Sequence, residues 1–407
     1  MSDSCAVPCA GREAVASQDG RLAELPEAVA SLKSKRDTRI DALRGIALLM
    51  IFIDHVPDDA ANWLTIHNFS FSDAAEVFVY LAGVSSMLAY GKAFRRDGAL
   101  TGFRQIAARC TKIYAVQVVL FLTTMGLAVV RRSAGMPNPI AGPILDAGWA
   151  GIFRGLSLEA LPTYLDILPL YVVLLAAFPI VYALSRISPW LALSVSGSVW
   201  LAANLCKNFN LPNMLSAEGW YFNPFAWQFL FTIGSLSAGL LKGAQSNSLR
   251  GKLLKSLCWA YLAVGFFETF NWTHWGLPDL RLFSMEEPEK TVLAPIRLLS
   301  ILAVVCLVFG SAAVERLSRY RFMQPLAACG RHSLEVFAMG CVLAYAGRFL
   351  FQVVGTGLPL QIFINVGGIG LTFLVAWMLE WRRGRQGSDT SKGSAGGYAA
   401  AAIKAGR

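Results

Sequence analysis

The chain of 407 residues is 55% hydrophobic and only 15% charged, whereas an average soluble domain is roughly 45–50% apolar and about 25% charged. This composition excludes an ordinary soluble enzyme and indicates a protein that crosses a membrane several times. The net charge of +10 alone would suit nucleic-acid binding, but the basic residues cluster between apolar segments, where they fit topology signals better. The eight cysteines lack the spacing of a metal site or a disulfide framework. We therefore expect no nucleic acid, metal or permanently bound cofactor.

Apolar segments divide the chain into three parts. Residues 1–37 lack a signal-peptide core, so we interpret them as a flexible cytoplasmic tail. Residues 38–381 form the predicted transmembrane domain, and residues 382–407 are interpreted as a disordered, basic cytoplasmic tail. A helix that crosses a bilayer needs about 20 mainly apolar residues. Ten segments come near this length, at residues 43–57, 74–91, 113–131, 164–183, 190–205, 224–241, 254–270, 292–314, 333–354 and 360–381.

The distribution of Lys and Arg between successive loops tests this count. If the chain enters the membrane from the cytoplasm, 26 of its 36 basic residues fall on the cytoplasmic side and 6 on the other. The positive-inside rule predicts this bias, and losing one helix would destroy it. The sequence therefore predicts an all-α, polytopic bundle of about ten transmembrane helices with both termini in the cytoplasm. Three longer outer loops, 132–163, 206–223 and 271–291, are long enough to shape a site.

The first predicted helix is bracketed by polar residues, with Arg44 near its inner end and Asp54 and His55 at its outer end. The eleven steps from Arg44 to His55 correspond to about 16 Å along a helix axis, which is comparable to the reach of a phosphopantetheine arm. A charged group at membrane depth is costly unless it is paired or lines a wet cavity, so Asp54 and His55 are candidate site residues. An equally open alternative is that both simply reach the outer interface.

The second predicted helix begins with a polar cap. Asp73 and Glu76 have the spacing of a capping box, which is a sufficient structural explanation for Asp73. We expect Glu76 to face the outer end of the first helix, where a carboxylate beside His55 would hold a neutral imidazole as a general base. Asp54 is a poorer partner for His55, because adjacent residues in a helix do not face each other.

Six ordered motifs stand out between about residues 37 and 381: RDTRIDALRGIALLMIFIDHVPDD, FSFSDAAEVFVYLAGVSSMLAYG, TYLDILPLYVVLL, FNPFAWQFLF, EKTVLAPIRLLSILA and GRHSLEVFAMG. Together they resemble the OpgC family of the bacterial inner membrane, which is associated with succinylation of osmoregulated periplasmic glucans. That family is similar to the wider acyltransferase family 3, whose pattern of Arg, ten residues and His is matched by Arg44 and His55. An inner Arg-x-x-Arg pattern is only approximated by Arg109 and Lys112, since Lys lacks the bidentate geometry.

The resemblance implies an O-acyltransferase of the bacterial inner membrane. Such an enzyme would move an acyl group, which in this family is succinyl, from cytoplasmic acyl-CoA to hydroxyls of a periplasmic glucan. Arg44, Arg109 and Lys112 would bind the CoA phosphates, although the positive-inside rule also accounts for basic residues there. His55 would take the hydroxyl proton, with Glu76 or Asp54 stabilising the imidazolium. Because no G-x-S-x-G elbow is present, direct transfer is favoured over an acyl-enzyme.

Four further polar residues in or beside the predicted helices are candidates for substrate binding. Asp166 begins the fourth helix and Glu335 the ninth, where an acid also suits the helix dipole. Arg297 and Arg348 lie toward the outer ends of the eighth and ninth helices, where snorkelling is the alternative. A succinyl carboxylate that leaves water must meet a cation. We therefore expect one of these arginines, Arg348 in preference, to select a dicarboxylic acyl chain.

Other classes of function remain open. A transporter or flippase of a small anionic or acylated solute would also have many helices and intramembrane charges. We find no repeated halves, and the polar residues concentrate around the first two helices, which favours one fixed site. An acetyltransferase of another cell-surface glycan is a further alternative. A structural scaffold would leave the placement of Arg44 and His55 unexplained.

Overall fold

The computed structural model describes residues 37–56, 59–136, 138, 140–206, 208–241 and 248–405, with side chains as far as residue 383 and at Arg385. The predicted flexible tail, residues 1–37, therefore lies outside the described residues except for Asp37. Within the described ranges the chain is α-helical, with short 3-10 turns and no strand. This part of the prediction, an all-α fold, is confirmed.

The described part of the chain contains fourteen α-helices. In chain order they are α1 (Thr38–Asp54), α2 (Ala74–Arg96), α3 (Ala99–Ser133), α4 (Gly142–Asp146), α5 (Gly148–Leu156), α6 (Ile167–Ile187), α7 (Pro189–Leu205), α8 (Pro224–Ser237), α9 (Leu249–Thr269), α10 (Pro295–Phe309), α11 (Ala312–Leu317), α12 (Gln324–Arg331), α13 (Ser333–Val354) and α14 (Leu358–Ala405).

Each of the ten predicted segments overlaps one of these helices. Five helices are long and apolar enough to cross a membrane, namely α2, α3, α6, α13 and the part of α14 at Leu358–Arg383. The helices α1 and α7 have 17 residues each and α8 has 14, which is short of the usual 20 or so for a crossing. The chain is thus an all-helical, multi-pass membrane protein. The count of ten crossings and the cytoplasmic position of both termini stay predictions.

Two helices, α3 and α14, are much longer than the predicted segments that they contain. The 35 residues of α3 extend about 52 Å, well beyond the roughly 30 Å hydrocarbon core of a bilayer. Its first half, which carries Arg109 and Lys112, therefore includes residues outside that core. The helix α14 continues past residue 382, where we predict that a tail begins. Side chains beyond Arg385 lie outside the described residues, so the disorder of residues 382–407 stays a prediction.

Backbone-to-backbone packing ties α1 to α12. A Cβ atom on Gly45 of α1 would lie 2.0 Å from the carbonyl oxygen of Leu326, and one on Gly330 of α12 would lie 1.8 Å from that of Asp41. Only glycine fits at both places, which is the small-residue packing that membrane helices use where no hydrophobic effect drives them together. This contact fixes the position of α1, the helix that carries Arg44 and ends just before His55.

Helix ends converge at one face of the bundle. The last turn of α1 and the first turns of α2 and α6 meet there with the segments that precede α8 and α10. The N-terminal ends of helices carry partial positive charge. The point at which these five chain segments meet is a cavity, described next.

Candidate active site

A cavity of about 350 Å³ lies at this junction. Its volume is in the range of small-molecule sites, roughly 300–1,000 Å³. Its polar lining includes the side chains of Asp54, His55, Tyr164, Asp166, Tyr221 and Lys290. Three of the predicted site residues, Asp54, His55 and Asp166, are thus brought together.

His55 follows the last residue of α1 and is held from two sides. Its ring packs edge-to-face on Tyr164 with the ring centroids 4.6 Å apart. Its backbone carbonyl oxygen accepts a hydrogen bond of 2.9 Å from Nε of Arg348. A general base needs a fixed orientation toward the proton it takes, and these contacts restrict both the ring and the backbone of His55.

Tyr164 separates the large cavity from a smaller one. The second cavity, of about 30 Å³, shares His55, Thr163 and Tyr164 with the first and is also lined by Thr124 and Arg348. The backbone of Tyr164 has φ = 76°, a left-handed conformation that costs a bulky residue free energy and that concentrates at functional sites. Sequence reasoning missed Tyr164, because a positive φ at a non-glycine residue leaves no sequence pattern.

Arg348 is buried in this smaller cavity. Its guanidinium carbon lies 3.7 Å from the centroid of the Tyr164 ring. Among the described residues, Nη2 of Arg348 has no hydrogen-bond partner. A buried, unsatisfied donor costs free energy, more so when it is charged, and the guanidinium fork matches a carboxylate in charge and geometry. The arrangement is therefore suited to binding a small carboxylate.

Arg297, the other candidate arginine, is already neutralised. Its Nε donates to Oε1 of Glu76 at 2.7 Å, and its Nη2 lies 3.3 Å from Oδ2 of Asp73. The second oxygen of Glu76 accepts the backbone N–H of Asp73, which completes the predicted capping box. We expected Glu76 to face His55, and this is wrong. Both oxygens of Glu76 are engaged by Arg297 and by the start of α2, because a buried arginine offers a stronger partner than an imidazole.

Lys290 completes this charged cluster and reaches the large cavity. Its ammonium group pairs with Asp73, and the indole N–H of Trp227 donates to its carbonyl oxygen at 3.1 Å. Burial lowers the pKa of Lys290, but the charges of Asp73 and Glu76 outweigh this and raise it above its ordinary value. Sequence reasoning missed Lys290, although a basic residue in a predicted outer loop, where the positive-inside rule disfavours it, is a usable signal.

Asp54 and Asp166 have different surroundings within the same cavity. Oδ1 of Asp54 lies 3.4 Å from Nδ1 of His67, but that nitrogen is hydrogen-bonded to Oγ1 of Thr65 at 2.8 Å, and Oδ1 of Asp54 has no hydrogen-bond partner among the described residues. Asp166 is buried and begins α6, yet its side chain makes no capping hydrogen bond. Its carboxylate lines the cavity instead.

The candidate donor-side residues lie at the opposite end of the bundle. Nζ of Lys112 donates to Oε1 of Glu335 at 2.6 Å. The positive charge of Arg109 is close enough to stabilise the Glu335 carboxylate. Arg44 is separate from this group. Its Nη2 donates to the carbonyl oxygen of Leu81 at 3.0 Å and to Oγ of Ser85 at 2.5 Å. The structure thus groups Arg109, Lys112 and Glu335, and holds Arg44 against α2.

The chain matches a known protein family over most of its length. The sequence model of the OpgC protein family matches residues 36–384, a range that includes every residue of both cavities. No match to an individual curated protein was found. Because the match extends over most of the chain, this membrane protein belongs to the OpgC protein family.

Proposed function

We propose that the protein is an O-acyltransferase of the bacterial inner membrane that moves a succinyl group from cytoplasmic succinyl-CoA to a hydroxyl of a periplasmic glucan. Membership of the OpgC family suggests an acyltransferase-type enzyme. The observation that carries the proposal is the place of His55 between two cavities. One has the volume for a sugar, and the other is small and holds the guanidinium of Arg348, whose Nη2 has no hydrogen-bond partner among the described residues.

The proposed reaction needs one base and no covalent enzyme intermediate. A sugar hydroxyl in the large cavity gives its proton to His55 as its oxygen attacks the thioester carbonyl. The tetrahedral intermediate then collapses, the carbon–sulfur bond breaks, and the departing thiolate takes the proton back from the imidazolium. The products are a sugar ester and CoA with a free thiol. Asp166 lines the same cavity and is proposed to bind the acceptor sugar.

Arg348 is the proposed selector of the acyl chain. Arg297 is paired with Glu76 and Asp73, whereas Nη2 of Arg348 has no hydrogen-bond partner among the described residues. A succinyl group whose thioester carbon lies near His55 would extend its distal carboxylate past Tyr164 into the smaller cavity. An acetyl group would leave Nη2 of Arg348 without a partner, so this arrangement favours a dicarboxylic acyl chain.

The donor must reach His55 from the inner side. An apolar cavity of about 80 Å³ lies beside α1, where Leu43 and Met50 line it, and it shares Ala74 with the large cavity. We propose that the thioester arm follows this side of α1. Arg44, Arg109 and Lys112 would then bind the CoA phosphates, with Glu335 released from Lys112 as the phosphates replace it.

The test uses the purified full-length protein with succinyl-CoA and a glucan, and measures thiol release and the mass of the glucan. We expect His55→Ala to lower acceptor-dependent thiol release at least about 100-fold, the usual contribution of a general base. The matched control is His274→Ala, which removes an outer-loop histidine that stacks on Trp63 with 3.9 Å between ring centroids and should leave the rate unchanged.

Two results would contradict the proposal. Full activity of His55→Ala, present in the membrane at the normal level, would remove His55 from the chemistry. If the unaltered protein releases no thiol with any acceptor, the acyltransferase assignment itself is wrong, and transport of an acylated or anionic solute becomes the better explanation.

A further inference from the structure

A third cavity with a polar lining, of about 150 Å³, adjoins the large one. The segment that precedes α8 forms one wall of it, with Asn213, Ser216 and Glu218 facing the space, and Thr291 lies on another wall. The reaction proposed above uses one hydroxyl in the large cavity and gives this neighbouring space no role.

Three residues line both the large cavity and this third one, namely Thr163, Asp166 and Tyr221. A carboxylate can accept several hydrogen bonds at once, so Asp166 can bind a sugar hydroxyl in addition to the nearby backbone N–H groups of Tyr164 and Asp166. Tyr221 exposes about half of its surface, and an aromatic face with a polar edge suits the C–H face and the hydroxyls of a sugar ring. The shared wall therefore has the groups needed to contact two adjacent sugars.

The wall of the third cavity is built by specific hydrogen bonds. Nδ2 of Asn210 donates to the carbonyl oxygens of Glu218 and Trp220, both at 2.8 Å. Oδ1 of Asn213 accepts the backbone N–H groups of Leu161 and Leu215, both at 3.2 Å. These contacts hold the segment in one conformation, so a ligand would bind to a preformed surface at little cost in conformational entropy.

The turn that presents Glu218 depends on glycine. Gly219 has φ = 87°, and a Cβ atom there would lie 2.3 Å from the carbonyl oxygen of Leu211. Because the backbone can make this close approach only with glycine, the carboxylate of Glu218 is set at the rim of the cavity, where it faces solvent.

We propose that this third cavity is a second sugar-binding subsite, which holds the residue next to the sugar that is acylated. The inference rests on the proposed function and deepens it, since it makes the acceptor an oligosaccharide that is bound across at least two residues. Asp166 and Tyr221 bind at the junction of the two sugars, and Glu218 accepts a hydrogen bond from the outer one.

The test compares acceptors of different length with the full-length protein and succinyl-CoA. The acceptors are methyl glucoside, a glucose disaccharide and a glucose tetrasaccharide, and the readout is the ratio of kcat/KM for the disaccharide to that for methyl glucoside. We expect a ratio of about ten, the size of one hydrogen bond to a charged group, and little further gain with the tetrasaccharide. Ser216→Trp, which fills the third cavity, and Glu218→Ala should each bring the ratio close to one.

The matched control is Glu286→Ala, which removes an exposed carboxylate of another outer loop and should leave the ratio at its original value. Equal kcat/KM values for methyl glucoside and the disaccharide in the unaltered protein would overturn the subsite, and so would an undiminished ratio in Ser216→Trp. If no acceptor is acylated at all, the proposed function fails. Binding of the disaccharide, measured with the same Ser216→Trp and Glu286→Ala variants, then decides the subsite independently.

Discussion

The burial of Arg348 is difficult to explain by structure alone. One donor of its guanidinium bonds to the His55 carbonyl oxygen and its plane covers Tyr164, but Nη2 is unsatisfied among the described residues. We predict that Arg348→Ala lowers the preference for succinyl-CoA over acetyl-CoA by about 10- to 100-fold, the value of a charge-assisted hydrogen bond. The measurement is the ratio of the two kcat/KM values, which separates selection of the acyl chain from any general loss of activity through His55.

Two further variants sharpen this prediction. Arg348→Lys keeps the charge but loses the planar fork, so its succinyl-to-acetyl ratio should fall between those of the original protein and Arg348→Ala. Arg281→Ala removes an arginine whose ion pair with Asp279 is exposed, and it should leave the ratio unaltered. If Arg348→Ala and Arg297→Ala both keep the original ratio, neither arginine recognises a dicarboxylic chain.

At the scale of elements, four buried or half-buried charges join α2 to α10 and to the segment before it. Arg297 on α10 is paired with Glu76 and Asp73 at the start of α2, and Lys290 adds a second cation to Asp73. Removing one member of a buried pair leaves an uncompensated charge. We predict that Arg297→Met lowers the free energy of unfolding in detergent by about 3–5 kcal/mol, measured by thermal or denaturant unfolding.

A double variant distinguishes the loss of the ion pair from the loss of side-chain packing. Glu76→Met in the Arg297→Met background removes the unpaired carboxylate as well, so it should recover most of the lost stability. Arg281→Met breaks an exposed pair and should have no measurable effect, because surface ion pairs contribute little. A double variant that is as unstable as Arg297→Met would mean that the network stabilises the protein through packing of the arginine stem.

The same network shows what a sequence can predict about this site. The capping box follows from a local pattern, the spacing of three positions between Asp73 and Glu76, and the structure has it. The partner of Glu76 is 221 positions away in the chain, and nothing local indicates whether Glu76 faces Arg297 or His55. The placement of His55 and Asp166 in one cavity could be predicted from the sequence, because both were expected at the outer ends of helices. Tyr164 was not, since its role depends on a backbone conformation.

At the scale of the whole molecule, ion pairs join residues from the same predicted end of the bundle. Pairs such as Arg331 with Glu380 and Lys112 with Glu335 join residues from predicted inner ends, and Lys290 with Asp73 joins residues from predicted outer ends. A bundle of helices that alternate in direction requires this arrangement, since both members of an ion pair must lie at the same membrane surface.

The periodic apolar segments made the helical fold predictable, whereas the short lengths of α1, α7 and α8 leave the number of crossings to be measured.

Labelling of single cysteines measures that number. In a cysteine-free background, a membrane-impermeant maleimide is applied to spheroplasts before and after permeabilisation. Ten crossings with cytoplasmic termini predict that Glu218→Cys and Glu286→Cys react in intact spheroplasts, whereas Arg250→Cys and Arg319→Cys react only after permeabilisation. All four positions are exposed in the structure, so a missing reaction reports the side of the membrane rather than burial. If α7 does not cross, Arg186→Cys and Glu218→Cys will react on the same side, and the alternation predicted from the Lys and Arg distribution will be wrong from that helix onward.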